Sequence, residues 1–111
     1  MKILFINRTL SRAQEALDAL LMASTFDQEV SVLFLDDGVW QLKSEQKSTH
    51  TKNFSAAFKA FPLYNIDKVY VDEKSLHDRG LALTDLLIMP VVLNTTEIKT
   101  LLAQQDHILS F

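Results

Sequence analysis

Cysteine is absent from all 111 residues. Without a thiol there is no disulfide, no thiolate metal site and no sulfur nucleophile. A chain in the cytosol needs no disulfide, so the absence fits a cytoplasmic location. Glycine is nearly as scarce, with Gly38 and Gly80 alone. Two isolated glycines cannot build the dinucleotide fingerprint or the phosphate-binding loop of nucleotide enzymes. No apolar run approaches the roughly 20 residues that a membrane-spanning helix needs, so no membrane association is expected. The short run Ile3-Leu4-Phe5-Ile6 leads straight into Asn7 and Arg8 and does not read as a signal peptide. Positive charge is not in excess either: the net charge is -3 and the pI about 5.5. Nucleic-acid binders draw most of their affinity from a basic stripe that neutralises phosphates. Direct, tight RNA binding by this chain alone is therefore not expected.

What is present is a core. Apolar residues make up 48% of the chain and charged ones 23%, a globular composition. At this length one compact domain over 1–111 is expected, burying roughly two-thirds of its unfolded surface. Lys2–Asn7 reads as a buried strand. Ser11 and Gln14 match a capping box, and Ala13, Ala16, Leu17 and Leu20 follow at helical spacing, which predicts a helix over about 11–25. Residues 29–36 are β-rich and continuously apolar from Val32 to Leu35, as in a strand buried on both faces. Asp37-Gly38 breaks that strand, and Val39, Trp40 and Leu42 suggest a helical turn. Residues 43–50 read as a loop. Phe54, Ala57, Phe58 and Phe61 mark one face of a helix that Pro62 should end. A third strand is expected over Lys68–Asp72, then a short helix over 73–79 with Gly80 as its left-handed stop. A fourth strand is expected over 86–93, ending or bulging near Met89 and Pro90. Thr95 or Thr96 opens a helix to about Gln104, and His107–Ser110 is a fifth strand. This alternation predicts an α/β fold: a parallel sheet with helices on both faces.

In open parallel sheets, ligands gather beyond the C-terminal ends of the strands. Here those are residues 7–11, 36–40, 72–75 and 91–95. Asp36 and Asp37 are adjacent acids, and two carboxylates can hold a hard cation. Neighbouring strand residues point in opposite directions, however. Asp-Asp-Gly is also turn chemistry, with the glycine supplying a positive φ, so a turn is favoured and no metal is expected. His50, His77 and His107 have no metal-ligand spacing and read as surface residues. Lys43, Lys47, His50, Lys52 and Lys59 make the middle locally basic, a patch for phosphates or an acidic partner. Glu45 dilutes it, and a solvated loop and helix face is the favoured reading. Trp40, Phe54, Phe58, Phe61 and Phe111 are mostly core by expectation. Trp40, after a turn at a sheet end, is the alternative case of an interface anchor.

Several stretches resemble the TusC/DsrF family of the DsrE-like superfamily. Glu15-Ala16-Leu17-Asp18-Ala19-Leu20-Leu21 is similar to that family's first helix. Phe34-Leu35-Asp36-Asp37-Gly38-Val39-Trp40-Gln41-Leu42 resembles its strand-end segment. Leu63-Tyr64-Asn65-Ile66, Ser75-Leu76-His77-Asp78-Arg79-Gly80-Leu81 and the closing His107-Ile108-Leu109-Ser110-Phe111 also match in order, so the likeness spans nearly the whole chain. The resemblance implies a DsrE-like three-layer α/β/α fold around a five-stranded, mainly parallel sheet. It implies partners too: TusB-like and TusD-like subunits, in a heterohexamer of two heterotrimers. Such complexes pass persulfide sulfur towards the 2-thio group of the tRNA wobble uridine, so contact with the sulfur donor and acceptor proteins is indirect.

In the related TusD/DsrE subunits a cysteine at the end of the third strand carries the persulfide. The equivalent region here is about Val71-Asp72, before Ser75-Leu76, and it holds no thiol. Relay proceeds by thiolate attack on a sulfur–sulfur bond. Neither carboxylate nor hydroxyl forms a stable persulfide, and Asp72 would repel an incoming thiolate. No catalytic residue, metal ligand or cofactor is therefore carried over. Relatives also have a longer, glycine-containing loop before the first helix, so no anion pocket is carried over to residues 7–11. What the resemblance leaves is a non-catalytic subunit, with Asp37, Gly38, Val39, Trp40, Asp72 and Ser75 as candidate partner-facing residues.

Three other readings compete. A DsrF-like subunit of a sulfur-oxidation complex would share the same motifs. A receiver-type phosphoacceptor module has similar length and element order, and Asp72 suits it. Its first strand, however, would have to end in acids, where Asn7 stands, and a lysine should follow the last strand. The third is a stand-alone small-molecule binder of the same fold.

Overall fold

The computed structural model describes residues 1–26, 28–43, 55–66 and 68–111. Its strands are β1 (Lys2–Asn7), β2 (Glu29–Phe34), β3 (Lys68–Asp72), β4 (Val91–Leu93) and β5 (His107–Ser110). The α-helices are α1 (Ala13–Ser24), α2 (Ser55–Lys59), α3 (Glu73–Asp78) and α4 (Thr95–Ala103). The strands form one sheet in the order β4-β3-β2-β1-β5, and every neighbouring pair is parallel. The expected α/β class, five parallel strands with helices, is what the chain adopts.

Side chains along a strand alternate between faces, and two cores result. Phe5, Val30, Val32, Phe34 and Val71 pack with Ala13, Leu17 and Leu20 of α1, Phe58 of α2 and Leu76 of α3. Leu4, Ile6, Leu33 and Leu93 turn to the opposite face and meet Leu101 of α4. The central strand β2 is sandwiched: Val32, Leu33 and Phe34 are all 0% exposed. Each such side chain contributes about 1.5–3 kcal/mol on burial.

Handedness explains the unequal layers. Parallel crossovers are right-handed because a right-twisted strand feeding a right-handed helix packs back onto the sheet that way. From β1 through β4 every step moves in one direction, so α1, α2 and α3 share a face. The step from β4 to β5 runs back across the whole sheet, so α4 takes the other face.

Several element ends differ from expectation. Ser11 and Gln14 form no capping box: α1 starts at Ala13 behind Arg12, and no side chain caps it. Gln14 bonds instead to Asp18 one turn on, at 2.8 Å. The β2 strand stops at Phe34, and a 3-10 helix runs from Asp36 to Leu42. The positive φ in that turn belongs to Asp36, at 51°, and not to Gly38. Pro62 does not end a helix; it lies inside a 3-10 turn, Phe61–Tyr64, where its lost N–H costs nothing. The expected fourth strand shrinks to three residues after Pro90, and Leu86 instead forms an isolated antiparallel bridge with Lys43. The last helix does open at Thr95 as expected, with Asn94 as its cap: the Asn94 side chain accepts from Glu97 N at 2.9 Å while Glu97 accepts from Asn94 N at 3.0 Å. Gly80 has φ 65° as expected, and the Leu81 amide closes on Leu76 O at 3.0 Å. Residues 44–50 of the expected loop, and Thr51 with Phe54 at the start of the following helix, lie outside the described residues.

Candidate functional site

Beyond the C-terminal ends of β1, β2 and β3, one chain of polar contacts joins the three strands. It starts at Asp36, whose left-handed backbone costs a non-glycine residue about 1–2 kcal/mol. The Asp36 amide donates to Ser75 Oγ at 2.8 Å. Its carboxylate accepts from Arg8 Nε and Nη2 at 3.1 and 3.0 Å. Ser75 Oγ donates in turn to Asp72 Oδ2 at 2.5 Å, and the Ser75 amide donates to the same oxygen at 3.2 Å. Asp72 is thereby the N-cap of α3. Arg8 after β1, Asp36 after β2 and Asp72 at the end of β3 are linked through one buried hydroxyl.

A second ion pair lies alongside. Asp37 accepts from Arg79 Nε and Nη2 at 3.2 and 3.0 Å, and Arg79 Nη1 also donates to Ser75 O at 3.2 Å. Asp36 and Asp37 thus diverge to different arginines rather than converge. Between strand and turn, Gly38 is pressed on β1: its amide donates to Arg8 O at 3.2 Å, and an added Cβ would meet Asn7 O at 1.9 Å. Only glycine allows that approach. Gln41 is 2% exposed, and its Nε2 donates to Thr9 O at 3.0 Å, holding the far end of the turn to the β1–α1 loop.

Burial sorts the six candidate partner-facing residues. Asp37 is open, with 67% of its side chain exposed. Trp40 is half-buried, with Lys43 Nζ 5.9 Å from its ring centroid, and Asp72 is half-buried as a cap. Gly38, Val39 and Ser75 are buried within this chain. Val39 fills the core, and Ser75 positions Asp36. The Ser75 hydroxyl donates its hydrogen bond to the Asp72 carboxylate and Ser75 is 3% exposed, so it is no open nucleophile. Arg8 and Arg79, missing from the candidate set, complete the rim. Arg79 stood in the Ser-Leu-x-x-Arg-Gly-Leu stretch; Arg8 had no signal beyond its place after a strand. His77 and His107 are exposed, Lys59 is exposed, and Lys47, His50 and Lys52 lie outside the described residues. A separate apolar cleft of about 400 Å³ lies beside β4, lined by residues such as Phe58, Phe61, Val69 and Met89, and none of the six candidates reaches it.

The model of the DsrE/DsrF-like family matches residues 1–111. This chain belongs to the DsrE/DsrF-like family. Among relatives of this family, the protein TusC homolog of Vibrio vulnificus is 41% identical over 103 residues, covering 91% of this chain and 87% of that one. The intracellular sulfur oxidation protein DsrF of Allochromatium vinosum is 42% identical over 92 residues, 78% of this chain and 68% of its own. The ychN protein of E. coli has the same fold, with a TM-score of 0.83 over 100% of this chain and 99% of that chain at 15% identity. The rim described above is thus the strand-end region of a DsrE/DsrF-like sheet. Among the described residues, no helix of this family member is long and apolar enough to cross a membrane.

Proposed function

We propose that this DsrE/DsrF-like chain is a cytoplasmic, non-catalytic subunit of a sulfur-relay complex that supports 2-thiolation of the tRNA wobble uridine. The observation that carries the reading is the end of β3. There Asp72 and Ser75 are closed on each other at 2.5 Å in a chain without cysteine, in the region where the resemblance puts the persulfide-bearing cysteine of related subunits. The 41% identity to a TusC homolog supports the relay assignment.

Sulfur moves when an acceptor thiolate attacks the outer sulfur of a persulfide: a new S–S bond forms, the old one breaks, and the donor leaves as a thiolate. No group on this chain can take either part. Its contribution is to hold TusB-like and TusD-like subunits in a heterohexamer, with the Arg8–Asp36 and Asp37–Arg79 rim and Trp40 facing a partner. Co-expression with those subunits followed by size-exclusion chromatography tests this. Co-elution of all three is expected; elution of this chain alone would refute it.

The identity to DsrF supports a second reading, a subunit of a sulfur-oxidation complex. Loss of sulfur oxidation with normal tRNA thiolation in cells lacking the chain would favour it.

A further inference from the structure

We propose that the apolar cleft beside β4 is a binding site for a small aromatic anion, with its ring system on Phe58 and Phe61 and one carboxylate turned to Lys59. This goes beyond the relay reading, which uses no small molecule.

The cleft has the size and the walls of a ligand site. Its volume of about 400 Å³ falls in the range of roughly 300–1,000 Å³ that small-molecule pockets occupy. Its floor belongs to the core: Phe58, Phe61 and Ile66 line it and are 3%, 1% and 1% exposed. The two rings are held against each other, with centroids 5.3 Å apart and planes at 50°. Proline stiffens both lips. Pro62 lines one from within its 3-10 turn, and Pro90 fixes the backbone between Met89 and Val91 on the other. A site fixed beforehand loses little freedom when it is filled. The open wall is apolar, with Met89 78% and Val91 55% exposed. An apolar ring laid against it removes that surface from water, and a thioether packs well at a ring edge.

Charge decides what kind of occupant fits. Of the described residues that line the cleft, Lys59 alone is charged, and it forms no ion pair with any described residue. A second copy docked here across a two-fold axis would bring the same patch, and so a second Lys59, against the first. An added strand finds little to pair with, because β4 is three residues long and follows directly on Pro90, which has no N–H. An aromatic acid meets both features of the cleft. Its ring covers the apolar floor, and its carboxylate accepts from Lys59 Nζ.

The probe is 2-naphthoate, titrated into the isotope-labelled full chain and followed by amide shifts. It should saturate at one per chain and move the amides of Phe61 and Val91, while Ile108 and Leu109, on the opposite edge of the sheet, stay in place. Neutral 2-naphthamide should bind about fivefold more weakly, the ratio that a solvent-exposed ion pair supports. The cation 2-naphthylmethylammonium should bind more weakly still. Lys59→Gln should remove the preference for the acid, and Lys59→Glu should reverse it in favour of the ammonium. Lys59 is exposed, so both variants should keep the parent fold. The proposal is overturned if the three probes bind alike, if the Lys59→Glu chain still prefers the acid, or if the shifts spread over the surface without saturating. It is overturned too if bound TusB-like and TusD-like subunits displace the probe, since the cleft is then a protein interface. Failure of those subunits to bind at all would count against the relay reading alone.

Discussion

Replacing Gly38 with alanine puts a methyl group 1.9 Å from Asn7 O, 2.5 Å from Asn7 C and 3.1 Å from Arg8 N. All three are backbone atoms at the end of β1, so no rotamer change relieves the contact. The 3-10 helix must move away from the strand by more than an ångström. That movement breaks Gly38 N to Arg8 O and strains Leu35 N to Asn7 O, bonds of 3.2 and 3.0 Å. Two hydrogen bonds are worth about 2 kcal/mol together. Displacing Val39 and Leu42, each 0% exposed, adds an overpacking cost of about 1–3 kcal/mol. The sum is about 3–5 kcal/mol, a large share of the roughly 5–15 kcal/mol that stabilises an ordinary domain. At about 4 °C per kcal/mol for a chain of this size, Tm falls by about 12–20 °C. Gly80→Ala is the control. Nothing lies within 4 Å of its added Cβ, so only the positive φ of 65° opposes it, at about 1–2 kcal/mol. Circular dichroism melts of the two variants decide the matter. A Gly38→Ala melt within a few degrees of the parent, or less affected than Gly80→Ala, would refute the steric argument.

Other substitutions probe the same region and its surroundings. Ser75→Ala leaves the partly buried Asp36 amide without its acceptor and should cost about 1 kcal/mol in urea unfolding; an unchanged midpoint would show that the link between β2 and α3 is weak. Arg8→Ala removes a pair with side chains 56% and 49% exposed, so stability should change by at most about 1 kcal/mol while partner affinity falls. A titration against the co-expressed subunits separates those two effects. Asn94→Ala, at the cap of α4, should cost about 1 kcal/mol and Asn94→Gly much less, measured by chemical denaturation.

Much of the layered fold can be read along the chain, because burial on both faces leaves a local mark. Val32 to Leu35 is continuously apolar where β2 lies under two layers, and Ala13, Ala16, Leu17 and Leu20 repeat where α1 faces the sheet. Element ends are less legible. Ser11 and Gln14 carry the pattern of a capping box, yet Arg12 takes the cap position, bonding to Glu15 with its guanidinium 5.0 Å over the Phe111 ring. That contact joins residues far apart in the chain and has no local signature. The rim is hidden for the same reason. Arg8 and Asp36 are 28 positions apart, and Asp37 and Arg79 are 42 apart. They meet only because parallel strands bring their C-terminal ends together. Gly38 was legible as a turn residue, but for the wrong cause: close approach to β1, not a positive φ, requires it there.

The most direct measurement is the 2-thiouridine content of tRNA in cells lacking this chain. The account predicts a marked fall on deletion, and recovery on return of the cysteine-free chain, with the sulfur label in between found on a partner subunit's thiol. Unchanged wobble thiolation after deletion would contradict it.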